Sequence, residues 1–215
     1  MFIRAMFLIV AGGEPPGNEL LRHRALEAAM IIAADSGAGY CLDAGVTPQL
    51  VVGDMDSLDS ETAERLTGLG IEMKRFSTDK DRTDTEIALD EAIVRGAKRV
   101  DILGAIGDRL DHTLANIHLM CMALRNGVAT RIISDTQQVF LVDSHETIKG
   151  SWGRTVSFLP LTEQVEGITL TGFVYELEDA VMEIGKPYGI SNVVKTDPAF
   201  VKVGKGVLLA VLSTT

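Results

Sequence analysis

Cysteine is scarce: the 215 residues hold two, Cys41 and Cys121. With no C-x-x-C spacing they cannot build a disulfide framework, and both fall in helix-patterned segments, where small buried apolar residues are expected. Positive charge is also short. Twenty Lys and Arg stand against thirty Asp and Glu, a formal net charge of -10. Nucleic acid is thereby excluded as the main partner, because grip on a phosphate backbone recruits clustered Lys and Arg. No apolar run approaches a membrane span. The one N-terminal candidate, Ala5 to Ala11 after Arg4, is short and ends in Gly12-Gly13-Glu14-Pro15-Pro16-Gly17 with no cleavage site beyond it. It reads as a buried first strand and not as a signal peptide, so a cytoplasmic protein with no membrane partner is expected. A G-x-x-x-x-G-K-[ST] loop is missing too, which excludes a P-loop enzyme, and there is neither an internal repeat nor a low-complexity tract.

What is present is a chain 46% hydrophobic and 23% charged, enough to bury a real core. Up to about Ser134, short β-rich runs alternate with longer helical patterns. Strands are expected at 7–11, 30–34, 50–52, 71–76, 100–103 and 130–133, and helices at 18–29, 36–44, 60–69, 83–95 and 111–125, several closed by a glycine such as Gly45, Gly96 or Gly127. That alternation specifies an α/β fold, a mostly parallel sheet flanked by helices. From about Gln137 the rhythm changes to short β-branched runs at 139–142, 155–159, 167–171, 200–203 and 207–212, divided by turn residues with no convincing helix. The expectation is two domains: an α/β domain over 1–135 and an all-β sandwich over 136–215.

In a parallel sheet the ligand crevice lies beyond the carboxyl ends of the strands. There the sequence places acids and glycines: Asp35-Ser36-Gly37-Ala38-Gly39, Gly53-Asp54-Met55-Asp56-Ser57, Ser77 to Asp84, and Gly104 to His112. Four consecutive strand ends thus converge on one rim. An acidic rim can hold a polyphosphate when a divalent cation sits between carboxylates and phosphate oxygens, and hard oxygen ligands suit Mg²⁺. Asp54 and Asp56, two apart, point the same way on extended backbone and can share a cation. Thr83 with Glu86 reads as a capping box, leaving a structural and a catalytic role both open for Thr83. Asp84 can complement the helix dipole, and Asp111 can serve as N-cap, which leaves Arg109 as the better phosphate ligand. Of the histidines, His23 and His145 read as surface residues and His118 as packed within its helix; His112 alone sits on the rim.

These strings resemble the thiamine pyrophosphokinase family. The resemblance rests on Ala34 to Ala38, Pro48 to Ser57, Asp79 to Leu89 and Gly104 to Asn116, in the family's order, and on a later Gly189-Ile190-Ser191-Asn192, and it covers nearly the whole chain. It implies a thiamine diphosphokinase moving the diphosphate of ATP onto the hydroxyl of thiamine, with an N-terminal domain for ATP and Mg²⁺, a β-sandwich contributing to thiamine binding, and a homodimer whose active sites lie between subunits. Carried over by motif, Asp54, Asp56 and Asp84 would bind metal and, with Arg109, form the catalytic centre; Asp35, Lys80, Thr83, Asp111 and His112 would serve the nucleotide, and Ser191 and Asn192 the thiamine. Asp108 departs from the pattern, standing where a glycine or small residue is frequent. Trp152, Phe173 and Tyr188 are the candidates for a ring stacked on thiamine. Three rivals stay open. They are a phosphatase using Asp54 as nucleophile, whose D-x-D would more usually close the first strand, a diphosphotransferase acting on a pterin alcohol, and a sensor without turnover.

Overall fold

The computed structural model describes residues 6–56, 58, 60–76 and 82–213. The chain divides into two compact units, Met1–Asp135 and Thr136–Thr215.

The first unit runs β1 (Met6–Val10), α1 (Asn18–Glu27), β2 (Met30–Ala34), α2 (Gly37–Asp43), β3 (Leu50–Gly53), α3 (Ser60–Gly68), β4 (Glu72–Arg75), α4 (Asp84–Val94), β5 (Arg99–Leu103), α5 (Leu110–Arg125) and β6 (Ala129–Ile133). Within it the strand order is β6-β5-β1-β2-β3-β4, and every pairing is parallel. The central strands read as unbroken apolar runs because both faces are covered. Leu8, Val10, Ile31, Ala33 and Val51 share one core cluster with Leu21 of α1, Cys41 of α2 and Leu66 of α3, while α4 packs on β1, β2 and β3 from the layer it forms with α5. After β4 the chain returns to the far side of β1 to begin β5. The direction of winding reverses there, and loops that leave β1 and β5 in opposite directions open a crevice at their carboxyl ends.

Local chemistry sets the element ends. Thr83 caps α4, its Oγ1 accepting from the Glu86 backbone N–H at 3.1 Å. The reciprocal half of the expected capping box is replaced, since the Glu86 carboxylate takes a 2.9 Å bond from Arg82. Asp111 is not the N-cap of α5: Arg109 holds that position, with extended backbone, and Asp111 lies in the first turn. The expected strand over 71–76 is shortened to Glu72–Arg75, a sheet edge tied to α4 by Lys74, which bonds both Glu91 oxygens at 2.8 Å, and by Arg95, which bonds Glu72 at 2.8 Å. One charge is buried in the middle of the sheet. Asp101 on β5 is 0% exposed, and it is held by two 3.0 Å bonds from Arg99 and by Arg24 of α1 at 3.5 Å, as a buried carboxylate requires. Cys41 is buried, which pushes its thiol up to about 12, whereas Cys121 is only partly buried, contrary to expectation. His118 is likewise exposed and not packed, because it lies on the outer face of α5.

The second unit is all strand: β7 (Gln137–Val142), β8 (His145–Ile148), β9 (Thr155–Pro160), β10 (Gln164–Thr171), β11 (Leu177–Glu183), β12 (Gly189–Val193), β13 (Ala199–Lys202) and β14 (Leu208–Ser213). Three of these, β8, β11 and β12, go beyond the five runs that alternation suggested, because they carry charged or polar residues at positions that face solvent. Two antiparallel sheets, β12-β9-β14-β7 and β11-β10-β13-β8, enclose one core of Phe140, Phe158, Leu208 and Ala210 from the first and Ile148, Ile168, Leu170 and Val201 from the second. This is the expected sandwich. Phe158 and Phe173 meet edge to face at its centre, ring centroids 5.6 Å apart. Among the described residues of the whole chain, no helix is long and apolar enough to cross a membrane.

Candidate active site

A cavity of about 660 Å³ opens at the carboxyl ends of β1, β2 and β5. Its walls are the loop after β1 (Ala11 to Pro15), Asp35 after β2, Thr83 to Thr85 at the head of α4, the loop after β5 (Gly104 to Arg109), and His112, Thr113 and Asn116 of α5. The two long walls are therefore the loops that flank the reversal of winding.

These walls pack at backbone distance. Gly13 N–H donates to Gly104 O at 2.8 Å and Glu14 N–H to Ile106 O at 3.0 Å. Gly104 has φ +66°, and a Cβ on it would stand 2.3 Å from Ala11 O, so only glycine fits. Asn116, buried on α5, donates its amide to Ala105 O at 2.8 Å and fixes the start of that loop against the helix.

The acidic residues gather beside the cavity. Asp35 adopts φ +53°, a left-handed conformation that Asp tolerates better than most residues, with its N–H bonded to Val52 O at 2.9 Å. Gly53, which leads into Asp54, lies against both Asp35 and Asp84: a Cβ on it would stand 3.5 Å from Asp35 Cα and 3.6 Å from the Asp84 carboxyl carbon. The end of β2 and the start of α4 thus place Asp35 and Asp84 both beside Gly53, the residue before Asp54. Asp54 and Asp56 do not project in parallel from extended backbone, as their spacing suggested. Met55 between them is left-handed (φ +69°) and buried, and the Asp56 N–H closes onto Asp54 Oδ1 at 3.0 Å. The pair forms an Asx turn, with Asp54 half-buried and Asp56 exposed.

Asp35, Thr83, Asp84, Arg109 and His112 line the cavity, and Asp54, Asp56 and Asp111 stand outside its lining among the described residues. The Arg109 guanidinium bonds Asp111 through two contacts, at 3.3 and 2.6 Å, and holds that carboxyl below the usual carboxylate range. Lys80 lies outside the described residues. Sequence reasoning missed the loop after β1, whose signal was available: Gly12-Gly13 directly follows the first apolar run.

In the second unit Ser191 is left-handed (φ +59°) at a register irregularity between β12 and β9, and its N–H donates to Ser157 Oγ at 3.1 Å. Residues 189–192 therefore lie within β12. Asn192 is 5% exposed. Its amide both accepts from Tyr175 N–H at 3.0 Å and donates to Tyr175 O at 2.7 Å. The Tyr175 side chain, held from behind in this way, is among the exposed large hydrophobics at 66%. Of the stacking candidates Trp152 and Tyr188 are exposed, but Phe173 is excluded, being 0% exposed in the sandwich core. Tyr175 was missed because its exposure depends on a buried amide 17 residues away.

Two family models match: "Thiamin pyrophosphokinase, catalytic domain" over residues 21–132 and "Thiamin pyrophosphokinase, vitamin B1 binding domain" over residues 142–208. A protein of Bacillus subtilis (strain 168) named thiamine pyrophosphokinase is 31% identical over 210 residues, 96% of this chain and 97% of its own. Crystal structures of thiamine pyrophosphokinases from Bacillus subtilis and Geobacillus thermodenitrificans superpose with TM-scores of 0.89 and 0.86 at 29% and 28% identity, each covering 98% of this chain and 99% and 98% of their own. With both halves of the chain matched in sequence and the whole of it in fold, this chain belongs to the thiamin pyrophosphokinase family.

Proposed function

We propose that this chain transfers the diphosphate group of ATP to the hydroxyl of thiamine and releases AMP, with the cavity of the first unit holding ATP. The observation that carries the nucleotide assignment is the charge of that cavity. Its lining bears the carboxylates of Glu14, Asp35, Asp84 and Asp108 against the guanidinium of Arg109, a wall that repels a bare polyphosphate and accepts one that arrives with a divalent cation.

The donor set fits Mg²⁺. Among the described residues no three His, Cys, Asp or Glu side chains form a cage, and Mg²⁺ does not need one, since it keeps several waters and takes one or two carboxylates together with substrate phosphates. Two of the three carboxylates Asp35, Asp54 and Asp84 would hold it, with Asp56 following in the turn that Asp54 closes. When bound there, Mg²⁺ supplies neutralisation of phosphate charge and polarisation of the transferred group. The chain's residues supply alignment. The N-termini of α4 and α5, carrying Thr83 and His112, present helix-dipole charge to anionic oxygens. Arg109 is exposed and can exchange Asp111 for two phosphate oxygens. The thiamine oxygen attacks the β-phosphorus. That O–P bond forms as the bond to the oxygen bridging to the α-phosphorus breaks, AMP leaves with the electron pair, and the hydroxyl proton passes to a carboxylate of the rim.

Ser191 and Asn192 serve the acceptor. Asn192 does so by presenting Tyr175, whose exposed ring offers a face to a cationic heteroaromatic such as the thiazolium of thiamine. The working form is a cytoplasmic homodimer with active sites shared between subunits, which light scattering on active enzyme tests directly. For the reaction, the protein is incubated with ATP, Mg²⁺ and a panel of alcohols that includes thiamine and a hydroxymethylpterin, and products are identified by mass. Thiamine diphosphate with AMP is expected. Thiamine monophosphate with ADP, or product from the pterin alone, would overturn the reading.

A further inference from the structure

Tyr40 lies on α2, outside the lining of the cavity, and its hydroxyl donates to Gly13 O at 3.0 Å. The same Gly13 donates its N–H to Gly104 O at 2.8 Å, and the next residue donates to Ile106 O at 3.0 Å. One phenol therefore closes a line of hydrogen bonds that runs from α2 through the loop after β1 to the loop after β5, joining both long walls of the cavity to the helix that begins beside Asp35. The loop after β1 has little freedom to sit elsewhere on that side, since a Cβ on Gly12 would stand 2.9 Å from Ser36 Oγ and one on Gly13 would stand 2.5 Å from Gly104 O. Burial, and then the nearby charge of Asp35, raise the Tyr40 hydroxyl above its usual range and keep it a donor.

We infer that Tyr40 is a positioning residue for the nucleotide: it acts through Gly13 to hold the loop after β1 at the spacing from Gly104 to Arg109 that MgATP requires. A loop held in place before binding costs the ligand no ordering, so loss of the hydroxyl should appear in affinity for nucleotide and not in the chemical step. This inference rests on the reading of the cavity as the ATP site.

The test is Tyr40→Phe, which keeps the ring and removes only the donor, with Tyr40→Ala as a second variant that also removes the ring. Titration calorimetry with MgATP in the absence of thiamine, steady-state kinetics for both substrates and melting temperature are measured on the full chain. Tyr40→Phe is expected to weaken MgATP binding and raise KM for ATP by about 3- to 10-fold, the worth of one neutral hydrogen bond, with kcat and KM for thiamine within about 2-fold of wild type. Tyr40→Ala is expected to exceed it in the same direction. A melting temperature that falls in both variants while MgATP affinity stays at the wild-type value would overturn the inference, as would an equal loss for ATP and thiamine. If wild type binds MgATP but makes no thiamine diphosphate, the functional reading fails while weaker binding by Tyr40→Phe still sustains the positioning role. If wild type does not bind MgATP at all, both fail.

Discussion

The two units place functional residues by different physical means. In the first, parallel strands all end at the same edge, so polar residues that follow strands far apart in sequence meet there by topology, on backbone the core has already fixed. In the second, antiparallel strands end at both edges and no common rim exists. Its candidate site depends instead on one buried amide, Asn192, holding one exposed ring, Tyr175. Function and stability should therefore separate in the α/β unit and be linked at Asn192 in the β unit.

The largest expected effect tests the first half of that contrast. Asp35→Asn, Asp54→Asn and Asp84→Asn each lower kcat/KM by about 100-fold or more, because each removes charge that the transition state needs, while melting temperature moves by no more than about 2 °C. A variant that keeps wild-type turnover at saturating Mg²⁺ would break the assignment of its residue to the metal. Loss of activity accompanied by unfolding would break the separation of function from stability.

A smaller effect tests the second half. Asn192→Ala strips the Tyr175 backbone of its partners and is expected to cost about 2 kcal/mol of stability while raising KM for thiamine. Tyr175→Ala, at an exposed position, raises KM for thiamine by about 10-fold at nearly unchanged stability. KM for ATP stays constant in both. If Tyr175→Ala leaves thiamine use intact, the ring is not the acceptor platform, and the exposed Trp152 and Tyr188 become the positions to vary.

The smallest effect concerns the edge of the α/β sheet. Hydrogen bonds from Lys74, followed by those from Arg95, hold the Glu91 carboxyl below its usual range. A carboxyl lowered in the native state stabilises the fold above its unfolded pKa, about 4.3, and that contribution is lost as pH falls through the native pKa. Glu91→Gln should therefore lower the melting temperature at pH 7, by the equivalent of no more than about 1 kcal/mol for a partly exposed pair, and the gap from wild type should close below about pH 4. A gap independent of pH would show that packing at Glu91 matters and its charge does not.

Much of this site was legible before any coordinates. Asp35, Thr83, Asp84, Arg109 and His112 were placed on one rim from their positions after apolar runs, and they line one cavity. The parallel sheet and the sandwich were legible for the same reason, because side-chain periodicity is a local property that burial on one or both faces imposes directly. What failed depended on backbone hand or on partners distant in sequence. The two-residue spacing of Asp54 and Asp56 promised shared orientation, and a left-handed Met55 cancelled it. Phe173 and Tyr175 are two residues apart and both aromatic, yet one fills the sandwich core against Phe158 and the other is held out to solvent by Asn192.

The sequence by itself thus determined the succession of elements, the order of the acidic motifs and the edge of the sheet on which they would lie, since a parallel α/β alternation leaves one place for residues that follow strands. Tertiary structure alone decided that the winding reverses between β1 and β5 and makes Gly12-Gly13 a wall of the cavity, that Asp54 turns back on itself, and that Tyr175 and not Phe173 faces outward. Each of these depends on a contact between segments far apart in the chain, such as Gly13 on Gly104 or Asn192 on Tyr175, and such a contact has no periodicity to announce it.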